Sequence, residues 1–155
     1  MLESFKSSTT NGTLDMLSMM MGVEGELIEQ TSKDVPVFVS GIVSFRSETH
    51  SGLVSLRFSR ETAATLVGLM LGMEPDEVDD ETMFDGVGEM TNIVSGQLKV
   101  DVSSLFDGFD ISIPSIINGL GHKINVFHGS ENHESLINTE YGIIRVRIEL
   151  CKDQK

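Results

Sequence analysis

Two runs rich in β-branched and aromatic residues, VFVSGIVSFR at 37–46 and LVSLRF at 53–58, stand on either side of the polar stretch SETHSG. Pro36 bounds the first run and Gly52 falls at the expected bend, so the pair reads as a β-hairpin. Ser59 follows at once. Its hydroxyl is placed to cap a helix over residues 60–71, with Glu61 in the first turn and Leu66, Leu69 and Met70 on an apolar side. Gly72 stops that helix and Pro75 reinforces the break. A hairpin that runs straight into a helix, with no repeated strand–helix–strand unit, points to the α+β class.

The remaining segments are less regular. Leu2, Phe5, Leu14, Leu17, Met20 and Met21 outline helical faces, but residues 7–13 are rich in hydroxyls and include Asn11 and Gly12. An N-terminal helix there requires tertiary packing to override weak propensity, and Gly22 is placed to end it. Residues 23–31 read as a short strand around Leu27 and Ile28, followed by a turn with Ser32, Lys33 and Asp34. An acidic connector at 76–81 leads into a long helix over 78–94. Beyond Gly96, Leu98, Val100 and Val102 alternate, Asp107 and Gly108 interrupt, and Ile111 and Ile113 resume an apolar spacing. Pro114 has no N–H to give, which argues against a central, fully paired strand at that point. Residues 123–127 suggest a strand and 129–133 a polar turn. Ile143, Val146, Ile148 and Leu150 mark a last strand, with Arg145, Arg147 and Glu149 at the alternating polar positions. The expectation is a mixed or antiparallel sheet packed with two long helices and an N-terminal helix. With 155 residues and 39% hydrophobic composition, a single domain over 1–150 is expected, with a short tail at 151–155.

Charge narrows the partners. Eleven Lys and Arg stand against 24 Asp and Glu, a formal charge of −13, so a phosphate backbone is repelled over most of the surface and nucleic-acid binding is not expected. The single cysteine, Cys151, allows no internal disulfide. The start, MLESFKSSTTNG, lacks the basic and apolar regions of a secretory signal, and no apolar run approaches the ~20 residues that cross a bilayer. The expectation is a soluble cytoplasmic protein without membrane insertion.

Several sites are set aside on spacing. His50, His122, His128 and His133 are the only histidines; a turn over 129–132 could bring His128 and His133 together, but they lack a zinc spacing with acidic or cysteine partners, so no metal is expected. Residues 76–81 do not follow the calcium-loop order. No phosphate-binding glycine loop is present, and Gly119 and Gly121 lack a following lysine and hydroxyl, so ATP, NAD and flavin are not expected. Met16 and Met19, Met20 and Met21 invite a partner groove, though methionine's adaptable packing gives core or dimer contact as the simpler account.

The stretch DGVGEMTNIVSG at 85–96 is either the solvated polar face of an ordinary helix or a surface built to enter a partner. At about 100° per residue, Asp85, Glu89 and Asn92 fall within a stripe about 60° wide, with Gly96 inside it and Gly88 at its side. Met83, Val87, Met90 and Val94 lie on the opposite side as the buried stripe. Three glycines in one helix, each about 0.8–1 kcal/mol worse than alanine, either permit close packing within the fold or let another molecule approach near Gly88. Glu89 is an anionic acceptor, and the Asn92 amide both donates and accepts. No Ser, Cys or His in the motif has an adjacent base, so covalent catalysis is not indicated. The pair is suited to gripping a cation while holding a water.

Asp85, Glu89 and Asn92 in this context, with twenty-one residues separating Asn92 from Pro114 in ISIPSIINGLG, resemble the CheX-like members of the CheC/CheX/FliY group of bacterial chemotaxis phosphatases. One copy of the helical motif is visible where CheC-like relatives carry two, so the CheX-like branch is the nearer resemblance, and it covers residues 1–150. The resemblance implies the CheX-like fold and hydrolysis of the aspartyl phosphate of a CheY-like response regulator in two-component signalling. Glu89 would pair with a lysine in the regulator's active site, and Asn92 would enter it to orient the attacking water. Asp85, Gly88, Gly96 and Pro114 would serve docking or shape. No cofactor bound by this chain is implied; Mg²⁺ belongs to the partner regulator. A homodimer paired through sheet edges is implied as well. The competing reading is a non-catalytic adaptor that binds receiver domains through the same helix.

Overall fold

The computed structural model describes residues 1–31, 35–125 and 129–154. Its elements follow in the order α1 (Leu2–Met21), β1 (Glu26–Ile28), β2 (Val39–Arg46), β3 (His50–Phe58), α2 (Arg60–Leu71), α3 (Asp80–Val102), β4 (Asp110–Ile111), β5 (Ser115–Asn118), β6 (Glu131–Thr139) and β7 (Gly142–Lys152). Short 3-10 turns at Pro75–Glu77 and Ser103–Leu105 flank α3. The strands lie in the order β1-β6-β7-β3-β2-β4, with β5 also on β2, and every pairing among the described residues is antiparallel. The class is α+β.

The hairpin pairs Val39 with Phe58 through to Arg46 with Ser51. Its bend lies at residues 47–49 and not at Gly52. Ser47 Oγ accepts from the backbone N–H groups of Thr49 and His50, which turns the chain three residues early. Gly52 sits inside β3, where a Cβ would come 2.0 Å from the carbonyl oxygen of Glu149; the glycine serves close approach of neighbouring strands. One face of the sheet, including Val39, Val43, Val54, Leu56, Phe58, Ile137, Ile144, Val146 and Ile148, is buried beneath the helices. Phe5, Phe45, Phe106 and Phe109 fill one end of this core with ring centroids 5.1–6.2 Å apart.

α1 runs unbroken through its hydroxyl-rich stretch because those hydroxyls find partners. Thr9 and Thr13 donate back to the carbonyls of Phe5 and Thr9, at 2.9 and 2.7 Å, and Ser8 donates to Asp101 Oδ2 at 2.6 Å. Phe5, Met16 and Leu17 are buried, and this packing offsets the poor intrinsic propensity. Gly22 ends α1 at φ 65. α2 is capped by Ser59 and closed by Gly72 as its sequence predicts.

Three expected boundaries shift. The strand expected over 23–31 is only Glu26–Ile28, and the turn residues Ser32, Lys33 and Asp34 lie outside the described residues. The helix expected over 78–94 starts at Asp80 and continues to Val102. Leu98, Val100 and Val102 are therefore helical: Leu98 and Val102 extend the buried stripe while Val100 is 71% exposed, and Gly96 lacks the positive φ that would end the helix. The polar turn expected at 129–133 is already strand from Glu131; the whole of β6 is weakly apolar because only Ser135, Ile137 and Thr139 are buried.

Part of the second face of the sheet is covered too. Arg57 Nη2 donates to the carbonyl of His122 at 3.1 Å, Arg147 Nη1 to that of Ile124 at 2.7 Å, and Ser130 Oγ to Glu149 Oε1 at 3.0 Å. Glu149, an alternating polar position in the sequence, is 0% exposed on this face. Residues 123–125 are irregular and not strand; the rest of the strand expected at 123–127 lies outside the described residues.

Candidate functional site

α3 is held on three sides, which leaves one stripe outward. At its start Asp79 accepts from the Thr82 backbone N–H at 2.8 Å. That bond, with the Thr82 hydroxyl second, holds the Asp79 carboxyl below its ordinary range. Met83, Val87, Met90, Val94, Leu98 and Val102 are each no more than 1% exposed, and full burial of such side chains contributes about 1.5–3 kcal/mol apiece. Against α2, a Cβ on Gly86 would meet both Val67 methyls at 2.6 Å. Against β2, a Cβ on Gly41 would lie 2.0 Å from Thr91 Oγ1, while that hydroxyl donates within α3 to the Val87 carbonyl. On the third side α1 meets Gln97, Val94 and Asp101.

Asp85, Glu89 and Asn92 are all exposed. Their side chains make no hydrogen bond or ion pair among the described residues, whereas the cations near α3 are engaged: Lys99 with Asp110 at 2.8 Å and Arg60 with Asp80 at 2.6 Å. Lys99 and the Ile111 N–H draw the Asp110 carboxyl below its ordinary range. Asp85 and Glu89 thus present unneutralised charge beside the Asn92 amide. Glu89 and Asn92 are about 4.5 Å apart along the helix axis, close enough to serve neighbouring groups of one small site.

The glycines differ. A Cβ on Gly88 would touch only Ile116 Cδ1, at 3.7 Å, and one on Gly96 would find nothing within 4 Å. Gly96 lies within the exposed stripe and Gly88 flanks it toward β5. Pro114 stands off the helix. Between the pairs Phe45↔Ile111 and Ile42↔Ser115, two residues of β2 face Ser112, Ile113 and Pro114 on the edge. The extra residue is a bulge, pinned by Ser112, whose N–H donates to the Ser44 carbonyl at 2.8 Å. Pro114, without an N–H, fits this edge, and two residues later Ile116 faces Gly88. Pro114 is therefore joined to the stripe only through β5.

Gly41 is the positional residue that the motif did not disclose. A glycine inside a strand pattern is the signal for a close backbone or helix approach. Among the described residues His50 packs edge-on to Phe106 and His122 bridges Ser40 Oγ and the Gly119 carbonyl; His128, the other half of the pair with His133, lies outside the described residues. No three His, Cys, Asp or Glu side chains gather as metal ligands among the described residues, and no helix there is long and apolar enough to cross a membrane.

The family model for the chemotaxis phosphatase CheX matches residues 39–137. The CheY-P phosphatase CheX of Thermotoga maritima is 34% identical over 77 residues, 49% of this chain and 49% of that protein; the match thus spans about half of the curated relative. The solved structure of the chemotaxis protein CheX from Vibrio vulnificus superposes with a TM-score of 0.83 at 25% identity, covering 95% of this chain and 96% of that one. The structure of a CheX–CheY–BeF3–Mg²⁺ complex from Borrelia burgdorferi matches with a TM-score of 0.73 at 25% identity, covering 96% of each chain. With the family model spanning more than half of its length and the motif helix inside the matched region, the chain belongs to the CheX family.

Proposed function

We propose that this chain is a phosphatase for the aspartyl phosphate of a CheY-like response regulator, with Glu89 and Asn92 working inside the regulator's active site. The observation that carries this is the side-by-side exposure of an unpaired carboxylate and an unpaired amide on α3, a helix whose opposite stripe is fully buried. A rigid helix so mounted delivers both groups together with little loss of conformational freedom. Membership of the CheX family and the CheX–CheY pairing in a structural relative support the same reading.

Glu89 pairs with a lysine of the regulator and fixes the approach. Asn92 accepts a hydrogen bond from the attacking water and aims its oxygen at phosphorus. The water oxygen bonds to phosphorus as the bond to the aspartyl oxygen breaks; the regulator's carboxylate leaves with the electron pair, and the water's protons remain with inorganic phosphate or pass to solvent. The regulator and its Mg²⁺ neutralise phosphoryl charge, while this chain supplies positioning. Asp85 and Gly96 border the same contact. The protein works in the cytoplasm as a homodimer paired through a sheet edge; among the described residues β1 pairs with Leu136, Ile137 and Asn138 of the nine-residue β6, and the rest of that edge would take a second copy.

The test mixes the protein with Mg²⁺-loaded, phosphorylated candidate regulators and follows phosphate loss beside spontaneous decay. Acceleration supports the phosphatase. Binding without acceleration makes the chain an adaptor, and failure to bind any receiver domain removes both readings. Solution mass at twice the 17.0 kDa protomer checks the dimer.

A further inference from the structure

The methionines of α1 divide into two sets. Met16 and Met21 turn into the core at 3% and 9% exposure, whereas Met19 and Met20 stand 84% and 42% exposed. Met16, Met19 and Met20 form a groove of about 240 Å³ with Asp15, Ile93 and Gln97. α1 and α3 run antiparallel, since Ser8 reaches Asp101 while Gly12 lies against Val94 and Gln97. The C-terminal third of α1 therefore comes level with Glu89, Asn92 and Ile93. Ile93 is about 40° round α3 from Glu89, so the groove opens beside the stripe assigned above to the regulator's active site, on the same outward surface.

Its chemistry selects an occupant. The floor is thioether and aliphatic, which adapts to a flexible hydrocarbon stem. Asp15 at the rim is exposed and has no ion pair among the described residues, and no Lys or Arg lines the groove. Asp85 and Glu89 extend the same negative charge along the neighbouring stripe.

We propose that this groove is a second docking point for the receiver domain engaged by Glu89 and Asn92, and that it holds a lysine or arginine from that domain's rim. The stem lies along Met19, Met20 and Ile93, and the charged head meets Asp15. The inference rests on the phosphatase reading and deepens it: α3 supplies chemistry, and the α1–α3 groove supplies choice among receiver domains.

The experiment measures binding and turnover separately. The probe is a panel of CheY-type receiver domains from the same genome, loaded with Mg²⁺ and beryllofluoride for binding, or phosphorylated for turnover. Asp15→Lys and the double variant Met19→Ser with Met20→Ser should each weaken binding and raise KM about tenfold, the scale of a single strong contact residue. Their kcat should stay within about twofold, because Asn92 is untouched. Asn92→Ala should show the opposite split. A receiver-domain lysine-to-glutamate exchange that restores binding to Asp15→Lys would identify the occupant. Unchanged binding by both groove variants, while Asn92→Ala loses acceleration, overturns the groove proposal and leaves the phosphatase standing. Loss of a dimer in the methionine variant with receiver binding intact also overturns it, since the groove would then hold a second copy. Absence of receiver binding by the wild type overturns both readings. Asp15 and Met19 are exposed, so melting temperatures near wild type are expected and serve as the folding control.

Discussion

Asn92 and Glu89 are exposed and make no side-chain hydrogen bond or ion pair among the described residues, so replacing either leaves the core of α3 intact and isolates its chemistry. Asn92→Ala removes the acceptor proposed to aim the water; phosphate release should slow on the order of 10²-fold, with docking nearly unchanged. Glu89→Gln keeps shape and an acceptor but removes the charge, so it should raise KM more than it lowers kcat, as single-turnover measurements will separate. These residues were legible from sequence because helix periodicity is simple arithmetic: spacings of three and four place Asp85, Glu89 and Asn92 opposite Met83, Val87, Met90 and Val94. The division of the methionines was not legible. Met16 and Met19 have the same side chain, and only the direction in which α1 crosses α3 decides that one is buried and the other exposed.

The seating of α3 is an element-scale matter, and its glycines report on it differently. Gly96→Ala should stabilise the protein by about 0.8–1 kcal/mol through helix propensity, because an added Cβ meets nothing within 4 Å. Gly86→Ala forces a Cβ to 2.6 Å from the Val67 methyls and should cost about 1–3 kcal/mol. Thermal melts compare the two, and a raised KM in the more stable Gly96→Ala would mark a receiver rim above that position. The cap gives a pH test. The Asp79 carboxyl is held below its ordinary value of 3.8 by the Thr82 N–H. Its contribution to stability is therefore fully present above pH 3.8 and is lost as the pH falls through the lower folded value. Asp79→Ala should melt lower than wild type at pH 7, with the difference closing as the pH is taken below 3.8. α2 was legible to the residue because Ser59 and Gly72 act locally. The end of α3 was not: Leu98, Val100 and Val102 satisfy a two-residue alternation, and what makes them helical is the non-local burial of Leu98 and Val102 against Phe5 and its neighbours.

At the scale of the whole molecule, β6 shows why topology outran composition. ENHESLINT is polar, yet it lies between β1 and β7 in the sheet, and its place is set by pairing with Gly142–Lys152 more than by its own apolar content. Charge was legible in full, and it carries a consequence for association. A formal charge of −13, with Asp15, Asp85 and Glu89 making no ion pair among the described residues on one surface, would draw in the proposed regulator if its rim is basic, and such attraction acts chiefly before contact. Raising salt roughly tenfold, from about 0.05 to about 0.5 M, shortens the screening length from above ~10 Å to a few Å. KM for the phosphorylated regulator should then rise several-fold while kcat changes little, since the proposed contact of Asn92 with water and phosphoryl group, enclosed between the two proteins, would be screened much less. Glu89→Gln should flatten the salt dependence because one of the attracting charges is gone. A KM indifferent to salt in the wild type would remove the lysine pairing assigned to Glu89, and would leave apolar contact along α1 as the main source of affinity.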